Sequence, residues 1–419
     1  MALTGAGDIN ADGHDDIVLG AEANGAYVFH GPITPGTELS DRDAYIGTGL
    51  DALAFAGDLD GDGFDDLLLG DTYYGDEPRS GYDDGAAYLY YGPISGELEV
   101  SDADAILEGS VFDKAGWDLD GGSDLDGDGS PDFMVAGTGF PNYEQNGIVY
   151  VLYGTPSGTS SLADADARLM GGSEDALAGY SAAMTGDVDG DGIGDVIVGA
   201  PTDSTGADLS GAVYVLYGPV NGDLVLSDSD AILLGEQSEG GGNGDQAGSS
   251  VATAGDHDGD GYDDLLIGAP RDSEGEYASG TTYLVHGPVT GLHVLCHAFP
   301  DRLVGEHYAD GSGTAVTSPG DMDGDDRPDV VVGAGSESFG GSGAGAAYII
   351  VRRIEGAVSL GSTDLKIAGR DVGEHLGYTL TPAGDADGDG RDDFIVGGAG
   401  LDGPNEHGGA AYLVPGSMF

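Results

Sequence analysis

The sequence predicts an all-β protein, a seven-bladed β-propeller built from seven similar repeats. The main evidence is an acidic motif, Asp-x-Asp-x-Asp-Gly-x-x-Asp, that recurs at intervals of 50 to 69 residues with single departures in two copies. Short runs rich in Val, Ile, Leu and Tyr flank every copy, and 81 of the 419 residues are glycine. Short β-type runs separated by many turns are typical of a repeat protein made of strands. The motif begins at Asp8, Asp58, Asp124, Asp187, Asp256, Asp321 and Asp385.

Four strands are predicted in each repeat, and we label them A to D. Strand A is a run of small residues before the acidic motif, as at 251–255, and strand B is the apolar run after it, as at 265–270. Strand C carries a tyrosine, as at 211–217, and strand D is a short apolar run such as 231–235. Because the tyrosines recur once per repeat, we interpret them as residues that pack between blades. They are Tyr27, Tyr88, Tyr150, Tyr214, Tyr283, Tyr348 and Tyr412.

Four strands in units of about 63 residues favour a propeller over a linear solenoid, whose units are usually shorter and need distinct caps. We treat the chain as one domain, since no linker interrupts the repeats. The predicted blades are 1–47, 50–109, 111–172, 175–235, 245–305, 309–369 and 373–419. The seventh repeat ends shortly after its strand C, so the outer strand of the last blade is missing from this chain. A closed ring would need another segment there, and we expect the natural protein to extend upstream.

Composition excludes several classes of function. With 76 acidic residues and 12 Lys plus Arg, the formal charge is −64, which argues against nucleic-acid binding and docking on anionic membranes. No apolar run approaches the ~20 residues of a membrane helix, and no membrane insertion is expected. A single cysteine, Cys296, excludes an intrachain disulfide. The first residues do not read as a secretory signal.

The acidic loops have the residue pattern of a Ca²⁺ site. Carboxylates at positions 1, 3, 5 and 9 offer several oxygens, glycine at position 6 allows a sharp turn, and position 7 contributes its carbonyl. An EF-hand would need a glutamate at position 12, where this chain has an apolar residue in every copy, such as Leu69 and Val198. Mg²⁺ prefers stricter octahedral geometry and Zn²⁺ prefers His or Cys. Plain Asp-Gly turns are the alternative.

We therefore predict up to seven Ca²⁺ ions, one in each loop between strands A and B. Two copies depart from the pattern, with Asn10 and Ala11 in the first and Asp326 in place of the turn glycine in the sixth. The predicted ligands are Asp8, Asn10, Asp12, His14, Asp16, Asp58, Asp60, Asp62, Phe64, Asp66, Asp124, Asp126, Asp128, Ser130, Asp132, Asp187, Asp189, Asp191, Ile193, Asp195, Asp256, Asp258, Asp260, Tyr262, Asp264, Asp321, Asp323, Asp325, Arg327, Asp329, Asp385, Asp387, Asp389, Arg391 and Asp393.

The repeats resemble FG-GAP repeats, which form the N-terminal β-propeller of integrin alpha subunits and occur in many bacterial surface proteins. The matching elements are Gly-Ala-Pro at 199–201 and 268–270, the acidic loops before them, and a degenerate aromatic-Gly element at 178–181 and 376–379. The resemblance implies a seven-bladed propeller with calcium in the A–B loops. All seven loops are acidic here, whereas integrins carry such loops in only some blades, so the chain looks more like a bacterial repeat protein.

The predicted function is a calcium-stabilised module for adhesion or protein recognition at the cell surface or outside the cell. No Gly-x-Ser-x-Gly, His-Glu-x-x-His or phosphate-loop motif is present, so no catalytic residue is predicted. An enzyme with a site on the propeller face and a lectin-like carbohydrate binder remain the alternatives. The partner, a protein or a glycan, is expected on the rim opposite the calcium loops, near blades two and three, at Tyr73, Tyr74, Tyr82 and Trp117.

Overall fold

The structure, a computed structural model, is a closed ring of seven β-sheets, which confirms the predicted propeller. It describes residues 2–21, 25–47, 49–75, 83–139, 145–237, 244–400 and 409–419. Within these ranges, no helix is long and apolar enough to cross a membrane. The predicted ligand residue Tyr82 lies outside the described residues.

Strands A form the inner ring, where each contacts the strand A of both neighbouring blades, and β1 meets β30 to close the circle. They are β1 (Ala2–Gly7), β5 (Ala52–Gly57), β10 (Ala115–Gly121), β15 (Ser181–Thr185), β20 (Ser250–Gly255), β25 (Ala315–Gly320) and β30 (Leu376–Gly384).

Strands B and C pair antiparallel and carry most of the core between blades, because their residues are buried on both faces of each sheet. Strands B are β2 (Asp16–Ala21), β6 (Asp66–Asp71), β11 (Phe133–Gly137), β16 (Asp195–Ala200), β21 (Asp264–Ala269), β26 (Asp329–Ala334) and β31 (Asp393–Gly398). Strands C are β3 (Gly25–Phe29), β7 (Ala86–Tyr90), β12 (Ile148–Leu152), β17 (Ala212–Leu216), β22 (Thr281–Val285), β27 (Ala346–Ile350) and β32 (Ala410–Val414).

Strands D pair antiparallel with strands C in the first six blades. They are β4 (Ala44–Gly47), β9 (Ala105–Glu108), β14 (Ala167–Met170), β19 (Ala231–Leu234), β24 (Arg302–Val304) and β29 (Leu365–Ala368). In the described part of the seventh blade, the sheet contains only β30, β31 and β32.

A fifth strand, which the sequence analysis missed, links each of the first five blades to the next repeat. We call it strand E: it lies between strands C and D of one repeat and pairs in parallel with strand D of the preceding blade. The five are β8 (Gly96–Glu99), β13 (Gly158–Ser161), β18 (Gly222–Val225), β23 (Gly291–Val294) and β28 (Ala357–Ser359). Each of these five blades is thus completed by a strand of the next repeat, which links neighbouring blades.

Short helical turns connect strands E and D and end the chain. One is the α-helical turn α1 (Leu295–Ala298) and the others are 3₁₀ turns. The 3₁₀ turns are Leu39–Asp41, Val100–Asp102, Leu162–Asp164, Leu226–Asp228, Leu360–Ser362 and Gly416–Met418.

The tyrosines of strands C do pack between blades in five repeats, where the buried side chains lie in clusters shared with the preceding blade; they are Tyr88, Tyr150, Tyr214, Tyr283 and Tyr348. Their hydroxyl groups do not stay unpaired, because each donates to a carboxylate; Tyr214 and Tyr283, for example, donate to Asp203 at 3.0 Å and Asp272 at 2.7 Å. Tyr412 of the last blade differs, and 45% of it is exposed.

Candidate metal centres and the opposite rim

The loop of the second blade shows how the motif folds. Asp58 at position 1 accepts hydrogen bonds from the N–H groups of Asp62 at 2.9 Å and Gly63 at 2.9 Å. Asp60 accepts from the N–H of Asp62 at 3.1 Å, and Asp62 accepts from the N–H of Phe64 at 3.1 Å. Gly61 and Gly63 have φ of 75° and 96°, a conformation that side chains with Cβ rarely adopt. Turns of this kind draw alternate carboxylates toward one centre.

The carboxylates do converge. One oxygen from each of Asp58, Asp60 and Asp62, at positions 1, 3 and 5, lies within 4.8 Å of the others. In the third blade the converging residues are Asp124, Asp126 and Asp132, at positions 1, 3 and 9. Each of the side chains of Asp60 and Asp62 uses one oxygen in the hydrogen bonds above and leaves the other oxygen for a cation. A set of carboxylate oxygens with a backbone carbonyl is the chemistry that Ca²⁺ prefers. The donor set of these loops therefore fits a calcium ion.

The aspartate at position 9, a predicted calcium ligand, holds its loop in place through hydrogen bonds. Asp195 is fully buried, and its two oxygens accept the N–H groups of Val188 and Gly218, each at 2.8 Å. Asp66 binds Leu59 and Gly92 in the same way, both at 2.9 Å. The position 9 aspartate thus connects the A–B loop to the residues that follow strand C.

The aspartate at position 8 makes a contact between blades that the sequence analysis missed. Asp65 accepts the N–H of Asp8 in the preceding blade at 2.8 Å, and Asp15 accepts the N–H of Asp385 at 2.8 Å across the closure of the ring. Asp263 and Asp392 act in the same way on Asp187 and Asp321. The signal was visible, because these four repeats carry two consecutive aspartates where the others have Pro or Gly. These hydrogen bonds therefore join neighbouring acidic loops at four of the seven blade boundaries.

The two irregular loops keep the same fold. In the first blade, the amide oxygen of Asn10 accepts the N–H of Asp12 at 2.8 Å, as an aspartate does elsewhere. In the sixth blade, Asp326 adopts φ of 66° in place of the turn glycine, and its N–H donates to Asp321 at 2.7 Å. Aspartate tolerates this left-handed region better than most residues. Both irregular loops thus keep the hydrogen bonds from backbone N–H groups to side-chain oxygens that the regular loops have.

The fifth blade places a histidine against its loop. His286 contacts Asp264 at 2.9 Å through Nδ1 and Asp301 at 3.0 Å through Nε2, and it lies 3.6 Å from Asp258. The hydrogen bond to Asp264 and the other nearby carboxylates raise the pKa of His286 to about 9. The positive charge of His286 therefore neutralises part of the negative charge of this loop. Blades two to four have a tyrosine at the position of His286.

Five of the position 9 carboxyls resist ionisation in the metal-free protein. Burial raises their pKa, and the other carboxylates of the loop add to the effect, giving about 7 for Asp66, Asp195 and Asp329. The pKa is about 6 for Asp132 and Asp393 for the same reasons. The folded chain therefore holds more protons than the unfolded chain between about pH 4 and pH 7.

We expect the chelated protein to lose stability as the pH rises through this window. Because the folded-state pKa values lie above the unfolded value of 3.8, protons stabilise the folded state, and deprotonation removes that contribution. Thermal melts in excess chelator should therefore give a lower melting temperature at about pH 8 than at about pH 5. The calcium-loaded protein is the control, because a bound cation holds the carboxylates ionised. Equal melting temperatures of the chelated protein at both pH values would contradict this reading.

The rim opposite the acidic loops carries the B–C and D–A connections. Tyr73 is 59% exposed there, whereas Tyr74 is half-buried: its hydroxyl donates to Glu108 at 2.6 Å and its ring packs edge-on against Tyr88. Tyr74 thus anchors its own loop. Trp117 is 37% exposed, and its ring lies 5.5 Å from that of Tyr180, while its Nε1 donates to the Tyr180 carbonyl at 3.1 Å.

Trp117 lies in a strand, although the glycine and aspartates around it in the sequence favour an irregular insertion over 113–123. It belongs to β10, whose pairing with β11 shifts between Ala115 and Asp118 at a β-bulge. Asp118 and Asp120 of β10 then turn to the next blade, where they accept the N–H groups of Ala182 and Met184, both at 2.8 Å. The polar residues that made this segment read as a loop therefore serve contacts between blades.

Further exposed aromatic side chains lie on the rim near blades five to seven. Tyr277 and Tyr308 stack with their centroids 5.5 Å apart and an interplanar angle of 27°. Phe339 is 81% exposed, and Tyr378 is also exposed. The aromatic surface of this rim is therefore wider than the patch predicted near blades two and three.

Comparison with known proteins identifies the class of repeat. Residues 178–216, 247–285 and 312–350 match the FG-GAP repeat family model. Together with the seven sheets, this makes the chain a seven-bladed propeller of FG-GAP repeats.

The relatives of this chain include integrin alpha subunits. It is 32% identical over 234 residues to integrin alpha pat-2 of Caenorhabditis elegans, covering 53% of this chain and 18% of that protein. It is 33% identical over 237 residues to integrin alpha-V of Gallus gallus, covering 55% and 21%. A phosphatidylinositol-glycan-specific phospholipase D of Mus musculus is 34% identical over 155 residues, covering 35% and 18%. The chain thus spans about a fifth of the length of these relatives.

Among solved structures, a crystal structure of BBS1N in complex with ARL6DN aligns over 94% of this chain and 86% of the other, at 9% identity and a TM-score of 0.49.

Proposed function

We propose that this protein is a calcium-binding propeller that acts outside the cell or at its surface as an adhesion or recognition module. The observation that carries the proposal is the set of acidic loops, in which carboxylate oxygens converge within 4.8 Å of one another in the second and third blades. The similarity to integrin alpha subunits supports an interaction role. Extracellular modules bind Ca²⁺ at ~10⁻⁴–10⁻³ M, concentrations that occur outside cells.

When bound, calcium would neutralise the carboxylates of each loop and hold the A–B connections rigid. Asp58, Asp60, Asp62 and the carbonyl of Phe64 would hold the ion in the second blade, with Asp66 closing the site. Because position 8 carboxylates join neighbouring loops, order at one loop supports the next. A rigid rim of this kind supports variable connections on the opposite rim, where recognition usually occurs.

The partner, a protein or a glycan, would bind the aromatic rim that includes Tyr73, Trp117 and the stacked pair Tyr277 and Tyr308. Aromatic residues are favoured at binding hot spots because they bury large areas with little loss of side-chain freedom. Elsewhere the surface is strongly acidic, with a chain charge of −64. The aromatic rim is the part of the described surface best suited to a partner.

A binding screen tests this function. The protein would be assayed against panels of extracellular matrix proteins and glycans, with calcium and with chelator. We expect a calcium-dependent partner, lost on chelation because the propeller loses its rigid form. Hydrolysis of a panel substrate without stable binding would favour the enzyme hypothesis, for which the relative named as a phospholipase D is the available support.

For the partner found, Trp117→Ala is expected to weaken binding by about tenfold or more, as for a hot-spot aromatic. Leu292→Ala is the matched control, since Leu292 is exposed on strand β23 at the outer edge of a blade. If Trp117→Ala and Tyr277→Ala both keep full affinity while the melting temperature stays unchanged, the partner does not bind this rim.

A further inference from the structure

Three side chains of metal-binding type meet between the fourth and fifth blades. One oxygen of Glu236, the Sγ atom of Cys296 and one ring nitrogen of His297 all lie within 4.8 Å of one another. The Nδ1 atom of His297 is 3.2 Å from Oε1 of Glu236. Glu236 follows strand D of the fourth blade, and the other two residues belong to the turn α1 of the fifth repeat. We call these three residues the boundary cluster.

Strand pairing explains why these residues meet. β19 of the fourth blade pairs in parallel with β23, and the paired residues end two positions before Glu236 on one strand and two positions before Cys296 on the other. Glu306 and Gly361 are the counterparts at the next boundary. There, a Cβ atom added at Gly361 would lie 3.2 Å from Oε1 of Glu306. The backbone at these boundaries thus places a side chain of the turn beside a glutamate.

The turn of the fifth repeat differs from its counterparts. The turns of the first and fourth repeats are Leu-Ser-Asp, at Leu39–Asp41 and Leu226–Asp228, whereas the fifth repeat has Leu-Cys-His at 295–297. This exchange replaces a hydroxyl by a thiol and a carboxylate by an imidazole. Thiolate, imidazole and carboxylate are the three side-chain ligand types of zinc in proteins. The boundary cluster therefore fits Zn²⁺, in contrast to the all-oxygen acidic loops, which fit Ca²⁺.

The strand D cation next to the cluster is paired elsewhere. At the following boundary, Oε2 of Glu306 is 3.0 Å from Nζ of Lys366. Arg302 occupies the position of Lys366, opposite the strand C tyrosine. It donates two hydrogen bonds of 2.6 Å to Glu274. Strand D of the fifth blade thus directs its cation to another glutamate and not to Glu236.

Nearby carboxylates make this part of the molecule attractive to a cation. Asp245 and Asp272 are both buried, and their negative charges act on the Cys296 thiol together with that of Glu236. A divalent ion would reduce the repulsion among these groups. Because the thiolate is the form that binds metal, binding would release the thiol proton to solvent.

We propose that Glu236, Cys296 and His297 form a binding site for one zinc ion. Three protein ligands leave the fourth position of a tetrahedral ion for water, as in open zinc sites. The ion would connect the end of β19 to α1 and so link the fourth blade to the fifth repeat. The site uses none of the residues of the acidic loops or of the aromatic rim, and it does not rest on the proposed function.

Cobalt substitution is the first test. Co²⁺ can replace Zn²⁺ in tetrahedral sites, and a bond between cobalt and sulfur produces an absorption band in the near ultraviolet. Cys296 is the only cysteine of the chain, so this band reports on one side chain. The full chain, reduced and in excess calcium, would be titrated with Co²⁺. We expect the band to saturate at one Co²⁺ per chain and to disappear when Zn²⁺ is added.

Variants of the three ligands test the assignment. Cys296→Ser should abolish the band and weaken zinc binding by at least about a hundredfold, because loss of an outer-shell partner alone costs about 10–100-fold. Serine occupies this turn position in the first and fourth repeats, so the variant should fold. Glu236→Gln and His297→Ala should each weaken zinc and cobalt binding in the same direction.

His293→Ala is the matched control. His293 lies three residues before Cys296, but its Nε2 atom is 2.9 Å from the carbonyl oxygen of Thr290, and its ring packs edge-on against Phe299. This variant removes a nearby imidazole that lies outside the boundary cluster. It should keep the cobalt band and the zinc affinity of the parent chain.

Several results would overturn the proposal. These are absence of the sulfur band, a band that Zn²⁺ does not displace, and equal zinc affinity of the parent chain and Cys296→Ser. A band that keeps its full affinity in both Glu236→Gln and His297→Ala would show cobalt bound to the thiolate without the other two ligands, and would also contradict the site. The calcium stoichiometry enters none of these measurements, so failure here is distinct from failure of the proposed function.

Discussion

Excess chelator is expected to lower the melting temperature of the calcium-loaded protein by more than about ten degrees. Without a cation, three or four carboxylates in each loop repel one another, and burial of position 9 opposes its ionisation. Ligand at 100 times its Kd stabilises a protein by about 2.7 kcal/mol for each site. Because the chain has seven such loops, the combined loss is large even if individual sites bind modestly.

Differential scanning calorimetry in chelator, in calcium, and in chelator saturated with calcium measures this effect. The saturated chelator is the control for nonspecific effects of the reagent. A sample in sodium chloride at matched ionic strength is a second control. It separates calcium binding from screening by salt, which weakens the repulsion among all the charges of a chain whose net charge is −64. An unchanged melting curve in excess chelator would contradict a structural role for calcium.

Replacing Asp195 by alanine is expected to be the most damaging single change in a loop. It removes the acceptors of two buried N–H groups, those of Val188 and Gly218, and each group left without a partner costs about 1–3 kcal/mol. The decrease in the free energy of unfolding should persist in chelator, because these hydrogen bonds form without the calcium ion. Chemical unfolding monitored in chelator measures it.

Asp191→Ala is the matched control in the same loop. Asp191 is exposed and accepts one N–H, that of Ile193, at 2.9 Å. This variant should bind one calcium ion fewer, or bind it more weakly, with a small change in stability when chelator is present. If Asp195→Ala and Asp191→Ala lower the free energy of unfolding equally in chelator, position 9 acts only as a metal ligand.

The number of blades and the place of each acidic loop could be predicted because both depend on local sequence. Aspartates at alternate positions and a turn glycine define each acidic loop within nine residues. Short apolar runs such as 265–270 predict buried strands without any reference to other repeats. The position 12 residues are likewise part of strand B in every blade, for example Val198 in β16. These features need no information about neighbouring repeats.

Features that depend on contacts between repeats could not be predicted in the same way. Strand E is polar and exposed, as in the Gly-Thr-Ser-Ser of β13, and it becomes a strand only by pairing with the preceding blade. The role of Asp65 likewise depends on the loop of another blade lying within hydrogen-bond distance. Gly116 and the aspartates around Trp117 interrupt the apolar pattern of a strand, so the sequence alone favours an irregular segment there, whereas the structure accommodates these residues in β10 through a β-bulge.

Calorimetric titration of the chelated and dialysed protein with Ca²⁺ tests the central claim most directly. The account predicts saturable binding with a stoichiometry of seven ions per chain, one for each loop, and one ion fewer for Asp191→Ala. A stoichiometry near zero, or an Asp191→Ala variant that binds as many ions with the same affinity, would contradict the assignment of the acidic loops as metal centres.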